Sequence, residues 1–138
     1  MAGTWVEHRA MKRQNLRQAA DVWQSVRTAV DHCCSDFRAY FADLGTVTSQ
    51  VESSHRVWLE IQALAGWKRQ VAIEFDESGP RIVVAIDQLE PKTFKIEADE
   101  SHPYLSHEGQ EINADGFTHL ALEEALFEAP KAKHAMGA

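Results

Sequence analysis

Seven histidines and two adjacent cysteines offer the most chemistry in this chain of 138 residues. The densest group is His102, His107 and His119 with Glu108 and Glu111. Imidazole and carboxylate side chains are zinc donors. No two of these histidines have the one-turn spacing that aligns ligands on a helix, and no His-Glu-x-x-His motif occurs. The segment is polar, so a solvated loop is expected, with no metal and no cofactor. A second candidate is His32-Cys33-Cys34, where an imidazole beside a thiolate would make a nucleophile. This triplet falls inside an apolar helical stripe, so packing is the expected role of both cysteines. Neighbouring cysteines cannot bridge without distortion, which excludes a disulfide framework and fits a reducing, cytoplasmic setting.

Acidic side chains supply the third candidate. Glu60 and Glu74 could work as acid and base if they faced one pocket. Each alternates with apolar neighbours in a strand-like stretch, which turns both toward solvent. Trp58 shares that outward side, and an exposed tryptophan marks a contact surface. Trp58, Glu60 and Glu74 are therefore a candidate contact surface. The competing expectation puts Trp58 beneath the last helix or a loop. There is no glycine-rich phosphate loop and no Gly-x-Ser-x-Gly elbow. Nucleotide-dependent and serine-hydrolase chemistry are not expected, and no catalytic residue is assigned.

The elements that must position these residues follow from periodicity. Leu16, Trp23, Val30, Phe37 and Leu44 recur every seven residues, and Ala19, Val26, Cys33 and Tyr40 stand three residues after the first four. This predicts a helix over 10–44, closed by Gly45 as a left-handed cap. Its apolar stripe is wider than a coiled-coil seam and suits a helix laid across a sheet. Residues 53–64 satisfy both strand and helix spacing; a strand is preferred because the strands that follow need a partner. Val71–Phe75, Ile82–Ile86 and Thr93–Ala98 alternate as strands, with turn chemistry at Glu77-Ser78-Gly79-Pro80 and Glu90-Pro91. The middle one is apolar on both sides and is expected to be central. Tyr104-Leu105 and Glu111-Ile112 suit a small hairpin around Gly109. Asp115 or Thr118 would cap a last helix reaching Glu128, with Phe117, Ala121, Leu122, Ala125 and Leu126 buried.

The fold class expected is thus α+β: a long N-terminal helix on an antiparallel meander of four to six strands, with a shorter C-terminal helix. One domain covers 1–138, with flexible ends at 1–9 and 130–138. No membrane span or signal peptide is read from the sequence. Net charge is −7, yet residues 1–30 carry five basic and two acidic groups. The acidic remainder disfavours nucleic acid. In composition and element types such a chain is similar in character to the chaperones of bacterial type III secretion. That resemblance covers composition and element types only and carries no site residues.

Two functional readings result. One is a small acidic protein-binding module: an adaptor, chaperone-like protein or assembly subunit. The other is a ligand-binding or enzymatic domain whose pocket lies between helix and sheet, lined by Trp58, Trp67 and His55. A helix from Leu16 to Leu44 spans about 43 Å, more than the roughly 37 Å diameter of a compact domain of this size. It must overhang, or break near His32-Cys33-Cys34-Ser35. The overhang predicts a homodimer in which paired helices cover each other's ends.

Overall fold

The computed structural model describes residues 5–87, 89–98 and 103–129, with α1 side chains given at Val6 and from Arg17 onward. Helix α1 runs Trp5–Tyr40 without a break, through His32 and Ser35. Seven strands follow: β1 Gly45–Ser53, β2 Arg56–Ala63, β3 Lys68–Asp76, β4 Arg81–Ile86, β5 Lys92–Ala98, β6 Pro103–His107 and β7 Gln110–Ile112. Helix α2, Ala114–Phe127, closes the chain. The strands form one sheet in sequence order, every neighbouring pair antiparallel. Short turns leave a chain no other partner but the adjacent strand, which is why the order is a simple meander. Of the ends expected to be flexible, residues 5–9 belong to α1; residues 1–4 and 130–138 lie outside the described residues.

The architecture is the α+β one expected, but there are seven strands rather than four to six. The unread strand is β1, Gly-Thr-Val-Thr-Ser-Gln-Val-Glu-Ser. It is an edge strand with Val47 as its buried side chain, so it carries almost no apolar alternation. Within residues 53–64, Arg56–Ala63 form strand β2, with Val57, Leu59 and Ile61 buried while their neighbours are not; Ser54 and His55 are the turn before it.

Two helix ends also differ from expectation. α1 stops at Tyr40, and Leu44 lies in the turn after it. Gly45 is no cap. It opens β1 where the chain touches β2, and a Cβ there would stand 2.4 Å from the Gln62 carbonyl oxygen. α2 is capped by Asn113, whose side chain accepts from the Gly116 amide at 2.7 Å. Asp115 lies instead in the first helical turn, where its charge favours the helix dipole.

The core lies between the helices and one face of the sheet. From α1 it takes Ala19, Trp23, Val26, Val30, Cys34 and Phe37; from α2 it takes Phe117, Ala121, Leu122, Ala125 and Leu126. The α1 series moves from Val30 to Cys34, not Cys33, because a straight helix drifts away from a strict seven-residue repeat. Trp23 stacks on Phe75 at 5.7 Å, and its Nε1 donates to the Ser54 carbonyl at 2.8 Å. Arg69, buried at the start of β3, points its Nη1 at the carbonyls of Glu124, Ala125 and Glu128, 2.7–3.0 Å away. The last turn of a helix leaves carbonyls short of amide donors; the Glu124 carbonyl keeps one, the Glu128 amide at 3.0 Å, and Arg69 adds a donor to all three. One side chain thereby ties α2 to the sheet.

Candidate functional site

Between the two helices lies a groove of about 280 Å³, floored by Phe37 and Leu126 and flanked by Phe41 and Phe127. The local sequence explains its opening. α2 buries one face, and Phe127, one residue past Leu126, falls beside that face toward α1. α1 ends at Tyr40, so Phe41 sits on the turn beyond it. The three phenylalanine rings form a cluster: Phe37–Phe41 at 5.7 Å, Phe37–Phe127 at 5.5 Å and Phe41–Phe127 edge-to-face at 4.9 Å. Phe37 is buried, yet Phe41 and Phe127 remain 39% and 43% exposed. Tyr40, Leu44 and Leu64, at 76%, 46% and 72%, are large apolar side chains on and just past the same helix end. The Leu64 amide donates to the Leu44 carbonyl at 2.9 Å, which holds those two turns together.

The groove wall is acidic. Asp36 and Asp115 line it, and an adjoining hollow of about 300 Å³ shares Cys33, Thr118, Leu126 and Phe127 and adds Glu123. Among the described residues, no lysine or arginine lines either. His32 lines the groove, and His119 pairs with Glu123 across one turn of α2 at 2.8 Å.

Of the two thiols, Cys33 faces the groove half-buried and Cys34 is in the core. Burial, reinforced by Cys33 and Asp31 against the opposing Arg38, pushes the Cys34 thiol up to about 12. Burial and the Asp36 carboxylate raise Cys33 as well. Both thiols are neutral at ordinary pH, which removes the thiolate that nucleophilic chemistry needs.

The outward strand residues sit where alternation predicts. Trp58, Glu60 and Glu74 share the sheet face opposite the helices, with Trp58 across from Ala72 and Arg56 across from Glu74. Trp58 is half-buried with the Arg56 guanidinium 5.7 Å from its ring, and Arg56 pairs with Glu52 at 2.8 Å and Glu74 at 3.7 Å. No described helix covers it. The residues expected to line a ligand pocket are not brought together. Trp67 lies in the β2–β3 turn against Arg69, 5.1 Å from its guanidinium, while His55 lies in the β1–β2 turn stacked on Phe75 at 5.3 Å.

His55 belongs to an arrangement no motif signalled. Its Nδ1 is 2.7 Å from Ser54 Oγ and its Nε2 is 2.5 Å from Glu77 Oε1. A hydroxyl, an imidazole and a carboxylate in line are the parts of a hydrolase triad. Here they bridge two exposed hairpin tips, and none of them lines either hollow between the helices. They act as a latch between the β1–β2 and β3–β4 turns. The histidines considered for zinc are separated. His107 stacks on Phe94 at 4.6 Å and meets the Thr93 carbonyl through Nδ1 at 3.2 Å, His119 is on α2, and His102 lies outside the described residues. Among the described residues no three potential ligands converge. None of the described helices is long and apolar enough to cross a membrane.

The chain matches no protein-family model, and no curated protein and no solved structure is significantly similar to it.

Proposed function

We propose that this protein is a protein-binding module that receives a basic amphipathic helix in the groove between α1 and α2. The observation that carries the reading is the open ring cluster Phe37, Phe41 and Phe127 within a wall whose charged residues are all acidic or histidine. An apolar floor takes the apolar stripe of an incoming helix, and flanking carboxylates take its lysines or arginines. The groove of about 280 Å³ is an open cleft along the helices, and Trp58, Trp67 and His55, expected to line a ligand pocket, do not line it. That weighs against the ligand-pocket reading. The face of Trp58, Glu60 and Glu74 is a second contact surface in this reading, left for a different partner. Two free thiols suit a cytoplasmic module. The homodimer expected from the long helix is the special case in which a second copy supplies the helix.

A labelled synthetic peptide tests this. It carries leucines at i, i+3, i+4 and i+7 with lysines between them, in about 14 residues or roughly four turns. Saturable binding is expected, weakened about tenfold or more by the pair Phe41→Asp and Phe127→Asp. The reading fails if a shuffled peptide of the same composition binds equally well, or if the paired substitution leaves binding unchanged.

A further inference from the structure

α1 continues upstream for many residues beyond the point where Trp23 docks. Trp23 reaches Ser54 in the β1–β2 turn, and Arg38 Nη1 reaches the Val47 carbonyl near the start of β1. The helix therefore runs antiparallel to β1, and at Trp23 it is already at the tip of the hairpin. Among the described side chains, its buried series begins at Ala19. The helical backbone continues upstream to Trp5, about 20 Å further. Val6, on this extension, is 57% exposed. Continuing the buried spacing backwards reaches Leu16, Lys12 and His8, so the apolar line gives out. The stretch Trp5–Arg17 holds Arg9, Lys12, Arg13 and Arg17 against a single acidic residue, Glu7. It is a basic helix, and the groove at the other end of α1 is walled by Asp36, Asp115 and Glu123.

We infer that the helix received by the groove is the Trp5–Arg17 extension of a second copy of this chain. This rests on the helix-docking reading above and names its occupant. An antiparallel pairing of two α1 helices centred near Trp23 lays Trp5–Arg17 of one copy along Ala29–Phe41 of the other. The two stretches are equal in length. A two-fold axis makes the exchange reciprocal, so each copy gives one extension and fills one groove, and the interface closes without leaving a free end. The charges agree in both halves: basic extension against acidic groove wall. Phe41, Phe127 and Tyr40, left open in the single copy, would be covered where the extension's first turns arrive.

The test uses the full chain and two charge variants. One carries Arg9→Glu, Lys12→Glu and Arg13→Glu; the other carries Asp36→Lys, Asp115→Lys and Glu123→Lys. Sedimentation equilibrium should give twice the 15.5 kDa chain mass for the wild type at micromolar concentration. Each variant alone should be monomeric, because like charges then meet in both halves. An equimolar mixture should recover the dimer, because both halves are complementary again. Circular dichroism checks that each variant is folded; a variant that is not is replaced by single reversals at Arg13 and Asp36, expected to weaken the dimer about tenfold each and to restore it when mixed. A wild-type monomer throughout the micromolar range overturns the inference. So does a dimer that both variants keep, or a monomer that dimerises only when residues 130–138 are deleted, which would assign the groove to the chain's own tail. The docking reading is judged separately: a monomeric chain that still binds the leucine–lysine peptide keeps the groove and loses only this occupant.

Discussion

Trp23 joins three elements at one point: it packs from α1 onto Phe75 of β3 and donates to the β1–β2 turn. Trp23→Ala should cost about 3–5 kcal/mol in a denaturant titration, as truncating a buried aromatic does. A midpoint close to wild type would mean that the stacking contributes nothing. Cys34 gives a pH signature. Its thiol is held up to about 12 against an ordinary 9.0, so the fold favours the neutral form. Its contribution is whole below pH 9 and is lost as pH rises from 9 toward 12, where the unfolded chain ionises first. Comparing unfolding of the wild type and Cys34→Ala across that window should show a steeper alkaline loss in the wild type. Equal slopes would refute it. At residue scale the sequence was a good guide where burial decides: both cysteines were read as packing residues. Which of the two is in the core was not legible, because it depends on a few degrees of helix phase per turn.

At the scale of elements, α2 depends on Arg69. Without its guanidinium, the Ala125 and Glu128 carbonyls lose this donor and the Glu124 carbonyl keeps only the Glu128 amide. Arg69→Met should destabilise by roughly 2–3 kcal/mol, the range for orphaning buried acceptors of a charged donor. Hydrogen exchange should rise most in α2, and uniform loss of protection instead would show that Arg69 serves the whole core. Nothing in the sequence pointed to Arg69. Its role exists only because the start of β3 and the end of α2, some fifty residues apart, meet in space. The apolar face of α2 was fully legible, since Phe117, Ala121, Leu122, Ala125 and Leu126 follow helical spacing. Its cap was not, because Asn113, Asp115 and Thr118 are all competent, and the end of β7 selects among them.

For the molecule as a whole, the governing asymmetry is a basic helical extension on an acidic body. If the extension and groove meet between copies, the association is partly electrostatic. The dimer should weaken several-fold between low salt and about 0.5 M salt, where the screening length is only a few ångströms. A dissociation constant indifferent to salt would point to an interface made by the apolar residues alone. Trp58→Ser, on the uncovered face, should leave dimer mass unchanged and cost little stability; a monomeric Trp58→Ser chain would move the interface to the sheet.

By itself, the sequence determined the α+β class, the long helix, the later strands and the buried face of α2. Each rests on a local period of side chains, and local periods survive without knowledge of what they pack against. It also turned Trp58 and Glu60, and separately Glu74, away from their apolar neighbours, because alternation along a strand is a property of the strand; the pairing of β2 with β3 puts the three on one face. The tertiary structure alone decided β1, whose polar residues become a strand through pairing with β2. It alone decided the latch of Ser54, His55 and Glu77, and the groove in which Phe37, Phe41 and Phe127 meet. These join residues far apart in the chain, and only the closing of the meander and the docking of α2 fix the distances between them.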